Sequence, residues 1–86
     1  MNTFDTIKYP LSTEKSIRLL EAENKLVFVV NVNATRGDIK KAVEDMFKVK
    51  VLRVNTIMTQ HGEKRAYVKL SPQNPAIDIA TDLGLM

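Results

Sequence analysis

The 86-residue sequence contains no cysteine and no tryptophan, and only one histidine, three glycines and three prolines. Without cysteine, neither a disulfide framework nor a thiolate metal site can hold the chain together, and a reducing compartment suits it. Long apolar runs are also missing. The longest, Leu26 to Val30, falls far short of the roughly 20 residues that a membrane-spanning helix needs. The Met1 end carries Asp5 and Lys8 instead of a basic stretch leading into an apolar one, so nothing there reads as a signal peptide. The expectation is a soluble intracellular protein with no membrane insertion.

Catalytic apparatus is equally scarce. A nucleophile needs an adjacent base and a group to orient that base. His61 stands beside Gly62 at an expected hairpin tip, with no acid obviously placed to orient it. It reads as a turn or contact residue, not a general base. No metal-ligand spacing is present. Thr35-Arg36-Gly37-Asp38 is too poor in glycine to cradle a phosphate as a P-loop does. The sequence argues against an enzyme and calls for no cofactor.

What remains is charge and periodicity. The net charge of +3 and the pI of about 9.3 are only mildly basic, but their distribution is uneven. Between Arg36 and Lys69 lie Arg36, Lys40, Lys41, Lys48, Lys50, Arg53, Lys64, Arg65 and Lys69, against Asp38, Glu44, Asp45 and Glu63. The rest of the chain carries more acids than bases. A basic middle with faintly acidic ends suits two faces with different partners.

The length allows one modest core, so residues 1–86 are expected to form a single domain. Phe4 to Tyr9 alternates loosely and stops at Pro10, as a short strand would. Ser12 or Thr13 is a good N-cap for a helix with Ile17, Leu20 and Ala22 on its buried stripe, stopping at Asn24. Leu26 to Val32 is apolar on both parities, which predicts a central strand covered on both faces. Thr35 to Asp38 resembles a capping box. Beyond it Ile39, Ala42, Val43, Met46 and Phe47 fall at i, i+3, i+4, i+7 and i+8, one face of a helix. On its solvated side, Lys40–Glu44, Glu44–Lys48 and Lys41–Asp45 have the spacing of ion pairs.

Val49 to His61 and Lys64 to Ser71 read as a hairpin turning near Gly62. With Gly62 to Lys64 as the loop, His61 pairs with Arg65. Leu52, Val54, Thr56 and Met58 then share the core face with Ala66, Val68 and Leu70. Arg53, Asn55, Ile57 and Thr59 share the wet face with Arg65, Tyr67 and Lys69. Met46 and Met58 are both expected to pack. Asn74-Pro75 predicts an N-cap followed by proline at the first helical position, then a short helix lined by Ala76, Ile79, Ala80 and Leu83 and ended by Gly84. The fold class is α+β: a four-stranded, mostly antiparallel sheet with flanking helices, in the order strand, helix, strand, helix, strand, strand, helix.

The wet face offers cations for phosphates, an amide and hydroxyls for 2′-OH groups or base edges, and one ring for stacking. Any small sheet also exposes such residues for solubility. The competing reading is a small ligand- or protein-binding module on a split strand–helix–strand scaffold. It calls for a concave apolar pocket and no affinity for RNA.

Lys64-Arg65-Ala66-Tyr67-Val68-Lys69-Leu70-Ser71, followed at an interval by Ile79, resembles the signature of the large-subunit ribosomal protein 23 family. Pro10 to Lys15 resembles the family's opening motif and Asn24 to Phe28 its first buried strand. Asp38 to Val43 with Phe47 resembles its central helix, and Val54-Asn55-Thr56 the tripeptide that starts its hairpin. The resemblance spans nearly the whole chain.

It implies a four-stranded sheet with flanking helices. It also implies a non-catalytic constituent of the large ribosomal subunit in the cytoplasm, bound to large-subunit ribosomal RNA near the polypeptide exit tunnel. Implied partners are neighbouring ribosomal proteins and factors that meet the nascent chain, including the signal recognition particle. By matching position, Asn55, Thr56, Lys64, Arg65, Tyr67 and Lys69 are implied RNA contacts; Arg53 and Thr59 join them from the wet face, and Arg36 and Lys40 from the start of the central helix. Glu14 matches the acid of the opening motif and is the candidate factor-docking residue. A first-turn Glu favoured by the helix dipole is the plainer account of it. Bacterial relatives carry a long basic hairpin extension and eukaryotic ones a basic N-terminal arm. Neither has a counterpart in this sequence, so the compact form resembles archaeal members.

Overall fold

The computed structural model describes residues 6–84. Strands β1 (Ile7–Pro10), β2 (Lys25–Val30), β3 (Val51–Met58) and β4 (Lys64–Leu70) alternate with helices α1 (Glu14–Glu23), α2 (Arg36–Phe47) and α3 (Ala76–Asp82) in the expected sequence. The sheet order is β1-β2-β4-β3 and every neighbouring pair is antiparallel. Because β4 inserts between β2 and β3, the crossover through α2 joins two strands that never touch.

The first two helices start and stop for identifiable reasons. Thr13 caps α1, with its hydroxyl accepting from Ser16 N and Ser16 answering the Thr13 N–H. Thr35 and Asp38 form the same reciprocal box for α2. That Asp38 carboxyl lies below its ordinary pKa, because the Thr35 backbone and then side-chain hydrogen bonds favour its charged form. Asn24 and Lys48 end α1 and α2 in the left-handed region, each at φ 55. The third helix departs from expectation. Its N-cap is Pro75, with no side-chain capping bond, and Asn74 Oδ1 instead accepts from Lys50 N at 3.0 Å.

One core lies between the sheet and the helices. Phe28, Val30, Ile39, Val43, Val51, Val68 and Leu70 are essentially solvent-free, and Phe28 stacks on Phe47 with ring centroids 5.9 Å apart. Alternation along β4 sends Ala66, Val68 and Leu70 inward and Arg65, Tyr67 and Lys69 to the opposite face. Strand β2 is buried on both parities from Leu26 to Val30. Its inward residues meet helices. Val27 and Val29 are shielded by the long side chains beside them in register, Tyr67, Arg65 and Tyr9.

Several expectations need correction. The hairpin loop is Gln60–Gly62, closed by Thr59 N to Glu63 O at 2.8 Å and Gly62 N to Thr59 O at 3.1 Å. Gly62, at φ 77, takes the left-handed place after a tight turn, so Arg65 pairs with Ile57 and not with His61. The displacement is an even number of residues, so the assignment of faces stands. A register shift between Val51 and Arg53 expels Leu52, which is 51% exposed, and gives its core place to Val51. Met46 and Met58 are exposed as well. Ala22 faces solvent, β2 stops before Val32, and β3 is shorter than Val49 to His61. Phe4 lies outside the described residues. None of the three expected α2 ion pairs is among those that form; Glu44 Oε2 instead accepts from Val51 N at 3.1 Å and holds the start of β3.

Candidate nucleic-acid interface

The sheet face turned away from the core is organised by register. Lys25 on β2, Lys69 on β4 and Arg53 on β3 are direct neighbours, forming one rung of three cations. The next rung is Val27, Tyr67 and Asn55. The third runs Tyr9, Val29, Arg65 and Ile57 across all four strands. Arg53, Lys69, Tyr9 and Ile57 are exposed, while Lys25, Asn55, Arg65 and Tyr67 are half-buried. Leu19 of α1 approaches this face beside Tyr67 and Val27, around a gap of about 20 Å³.

Like charges directly opposite on neighbouring strands each cost a few tenths of a kcal/mol, up to about 1. Lys25 is partly offset by Glu23 at 3.2 Å, whereas no ion pair engages Lys69 or Arg53 among the described residues. At the far end of the face the charge is balanced. Glu63 accepts from the Tyr9 hydroxyl at 2.9 Å and from Arg65 Nε at 3.3 Å. The hydrogen bond to Glu63 favours the neutral phenol and raises the Tyr9 pKa.

Of the candidate residues, Arg53, Asn55, Arg65, Tyr67 and Lys69 come together here. Thr59 sits at the hairpin end, where its hydroxyl accepts from Glu63 N. Thr56 and Lys64 lie on the helical side of the sheet, opposite Ala66 and Met58 respectively, and Lys64 Nζ donates to Ala34 O at 2.7 Å. Arg36 and Lys40 are exposed on α2, so the sheet separates them from the cationic rung. Glu14 is exposed in the first turn of α1, pairs with Arg18 at 3.3 Å and borders an open hollow of about 550 Å³ with Thr13, Lys15, Arg18 and Leu19. His61 is exposed at the turn, and no group of acids, histidines and cysteines suited to a metal ion occurs among the described residues.

Sequence reasoning missed Lys25, Tyr9 and Glu63. Lys25 was legible as the residue one parity out from Leu26. The other two meet only once β1 and the hairpin are placed on either side of β2.

Residues 5–78 match the family model described as ribosomal protein L23. The chain is 45% identical over 85 residues to the large ribosomal subunit protein uL23 of Methanococcus aeolicus, and the match covers 99% of each chain.

Proposed function

Because the chain belongs to the ribosomal protein L23 family, a family of structural, non-enzymatic constituents of the cytoplasmic ribosome, we propose that its open sheet face binds large-subunit ribosomal RNA. The Lys25–Lys69–Arg53 rung carries this reading. Three cations held side by side on adjacent strands gain most from a polyanion laid across them. Asn55 and Tyr67, one rung away, supply an amide for a base edge or 2′-OH and a ring for stacking. The buried face is devoted to packing and the opposite one to RNA, which suits a small protein wedged into a folded ribonucleoprotein. Arg36 and Lys40, on the helical side, would reach a second RNA segment.

The resemblance of the opening motif supports a place beside the tunnel exit, with neighbouring ribosomal proteins at its flanks and Glu14 offered to nascent-chain factors such as the signal recognition particle. The exposure of Glu14 at the lip of the α1 hollow suits that role.

Binding to a large-subunit RNA fragment should weaken steeply with salt, and Lys69→Ala or Arg53→Ala should each flatten the salt slope by about one unit. Salt-independent affinity, or full affinity in both variants, would refute the assignment of this face. For docking, ribosomes carrying Glu14→Arg should bind signal recognition particle more weakly; unaltered binding removes Glu14 from the surface.

A further inference from the structure

The hairpin end of the open face holds a feature that the cationic rung does not explain. Tyr9 and Arg65 come from strands on opposite sides of β2, with Val29 between them in register. Val29 is buried, and the sheet register fixes the spacing of the two backbone positions from which the donors project. Both point at one carboxylate: the Tyr9 hydroxyl donates to Glu63 Oε2 and Arg65 Nε to Glu63 Oε1. Glu63 is held in turn by Thr59, whose N–H donates to Glu63 O at 2.8 Å and whose hydroxyl accepts from Glu63 N at 3.2 Å. A phenol of ordinary pKa, about 10, keeps its proton at neutral pH, so Tyr9 remains a donor whether or not Glu63, whose hydrogen bond raises that pKa, is in place.

A carboxylate and a phosphodiester offer two such donors the same thing, a pair of anionic oxygens on one centre. We propose that Tyr9 and Arg65 form a phosphodiester site within the RNA-binding face, and that Glu63 fills it in the free protein as a tethered stand-in. The inference rests on the reading of this face as RNA-binding. RNA held only by the Lys25–Lys69–Arg53 rung gains nothing at this end, and the Glu63 carboxylate repels its backbone. RNA whose backbone spans both ends displaces Glu63 and recovers two charge-assisted hydrogen bonds. Glu63 therefore determines specificity: it lowers affinity for RNA at large and spares the RNA that fits.

The test is a double-mutant cycle with wild type, Glu63→Gln, Arg65→Ala and the double variant, titrated with an unstructured oligouridylate over a range of salt. Glu21→Gln, an exposed acid on α1, is the charge-matched control. In Glu63→Gln the introduced amide oxygen can still accept from Tyr9, and far-UV circular dichroism verifies folding. Glu63→Gln should tighten binding about tenfold at low salt and steepen the logarithmic salt slope by about 0.7, the contribution of one more single-strand phosphate contact. In the Arg65→Ala background that gain should shrink to the control's. Adding Tyr9→Phe to Glu63→Gln should cost several-fold. A gain no larger than the control's, or one that persists without Arg65, overturns the proposal and leaves the RNA reading intact. Absence of salt-dependent binding to both oligouridylate and a large-subunit fragment, in every variant, overturns both.

Discussion

Asn24 joins three elements, and its replacement offers the sharpest test of how the fold is held. Its backbone is left-handed at φ 55 and ψ 41, and its N–H closes α1 on Leu19 O. Its side-chain Nδ2 lies 3.2 Å from Leu70 O, 3.2 Å from Ser71 O and 3.3 Å from Asn74 O. Its Oδ1 accepts from Ala76 N at 2.6 Å. One amide thus ties the end of α1 to the exit of β4 and the start of α3, which lacks a capping bond from its own N-cap. An NH₂ has two protons, so three full hydrogen bonds are available, each contributing about 1 kcal/mol in a half-buried site. Ala in the left-handed region adds about 1 kcal/mol. Asn24→Ala should therefore cost about 4 kcal/mol, near the whole stability of a marginal domain of this size. Asn24→Gly keeps the backbone and should cost about 3 kcal/mol. Asn24→Asp turns a carboxylate oxygen toward three carbonyls and should be the most damaging at neutral pH. Urea unfolding followed by far-UV circular dichroism reads all three as midpoint shifts at constant slope. A loss below about 1 kcal/mol for Ala, or an Asp variant milder than Ala, would refute the bonding scheme.

Three further outcomes follow from other contacts. Phe28→Ala removes a ring that is 1% exposed and stacked on Phe47, and should cost about 4 kcal/mol in the same unfolding assay. Lys64→Ala should leave the salt slope of RNA binding unchanged, since Lys64 Nζ is engaged on the helical side by Ala34 O, whereas Lys69→Ala should flatten it; equal effects would mean that the two faces share the RNA. The folded-state pKa of Asp38 is depressed, so its capping contribution is complete above the unfolded aspartate value of about 3.9 and is lost as pH falls through the lower folded value. Asp38→Asn should lose less stability than wild type between pH 5 and pH 2, measured by urea midpoints; parallel curves would rule the cap out as the cause.

The parts of this fold legible in the sequence are those where a local rule and the tertiary structure ask for the same residue. Thr35 with Asp38, and Ile39, Ala42 and Val43 behind them, satisfy capping and burial together, and α2 stands as expected. The doubly apolar run from Leu26 predicted a central strand, and β2 is central. Sequence and structure diverge where a shift of one or two residues goes unmarked by the pattern. Gly62 marked the turn, but the tight turn with a left-handed glycine closes two residues earlier than supposed, and only parity preserved the faces. The shift at Leu52 inserts one residue and reverses the assignment of Leu52, which no alternation pattern announces because Val51 and Leu52 are equally apolar. Met46 and Met58 fit a periodic core but are 43% and 58% exposed.

The same logic separates the site's two halves. Arg53, Tyr67 and Lys69 alternate along β3 and β4, so strand periodicity alone places them on one face. The Tyr9–Glu63–Arg65 group draws on β1 and on the far end of a hairpin, with Tyr9 and Glu63 54 positions apart, and no spacing rule connects them. Yet on the proposed reading that half adds to what the surface can discriminate. A rung of cations attracts any polyanion within reach. On the proposed reading, a donor pair already holding an anion demands that a newcomer's backbone fit better than the resident, and this adds selectivity for backbone geometry to whatever Asn55 and Tyr67 read from the bases.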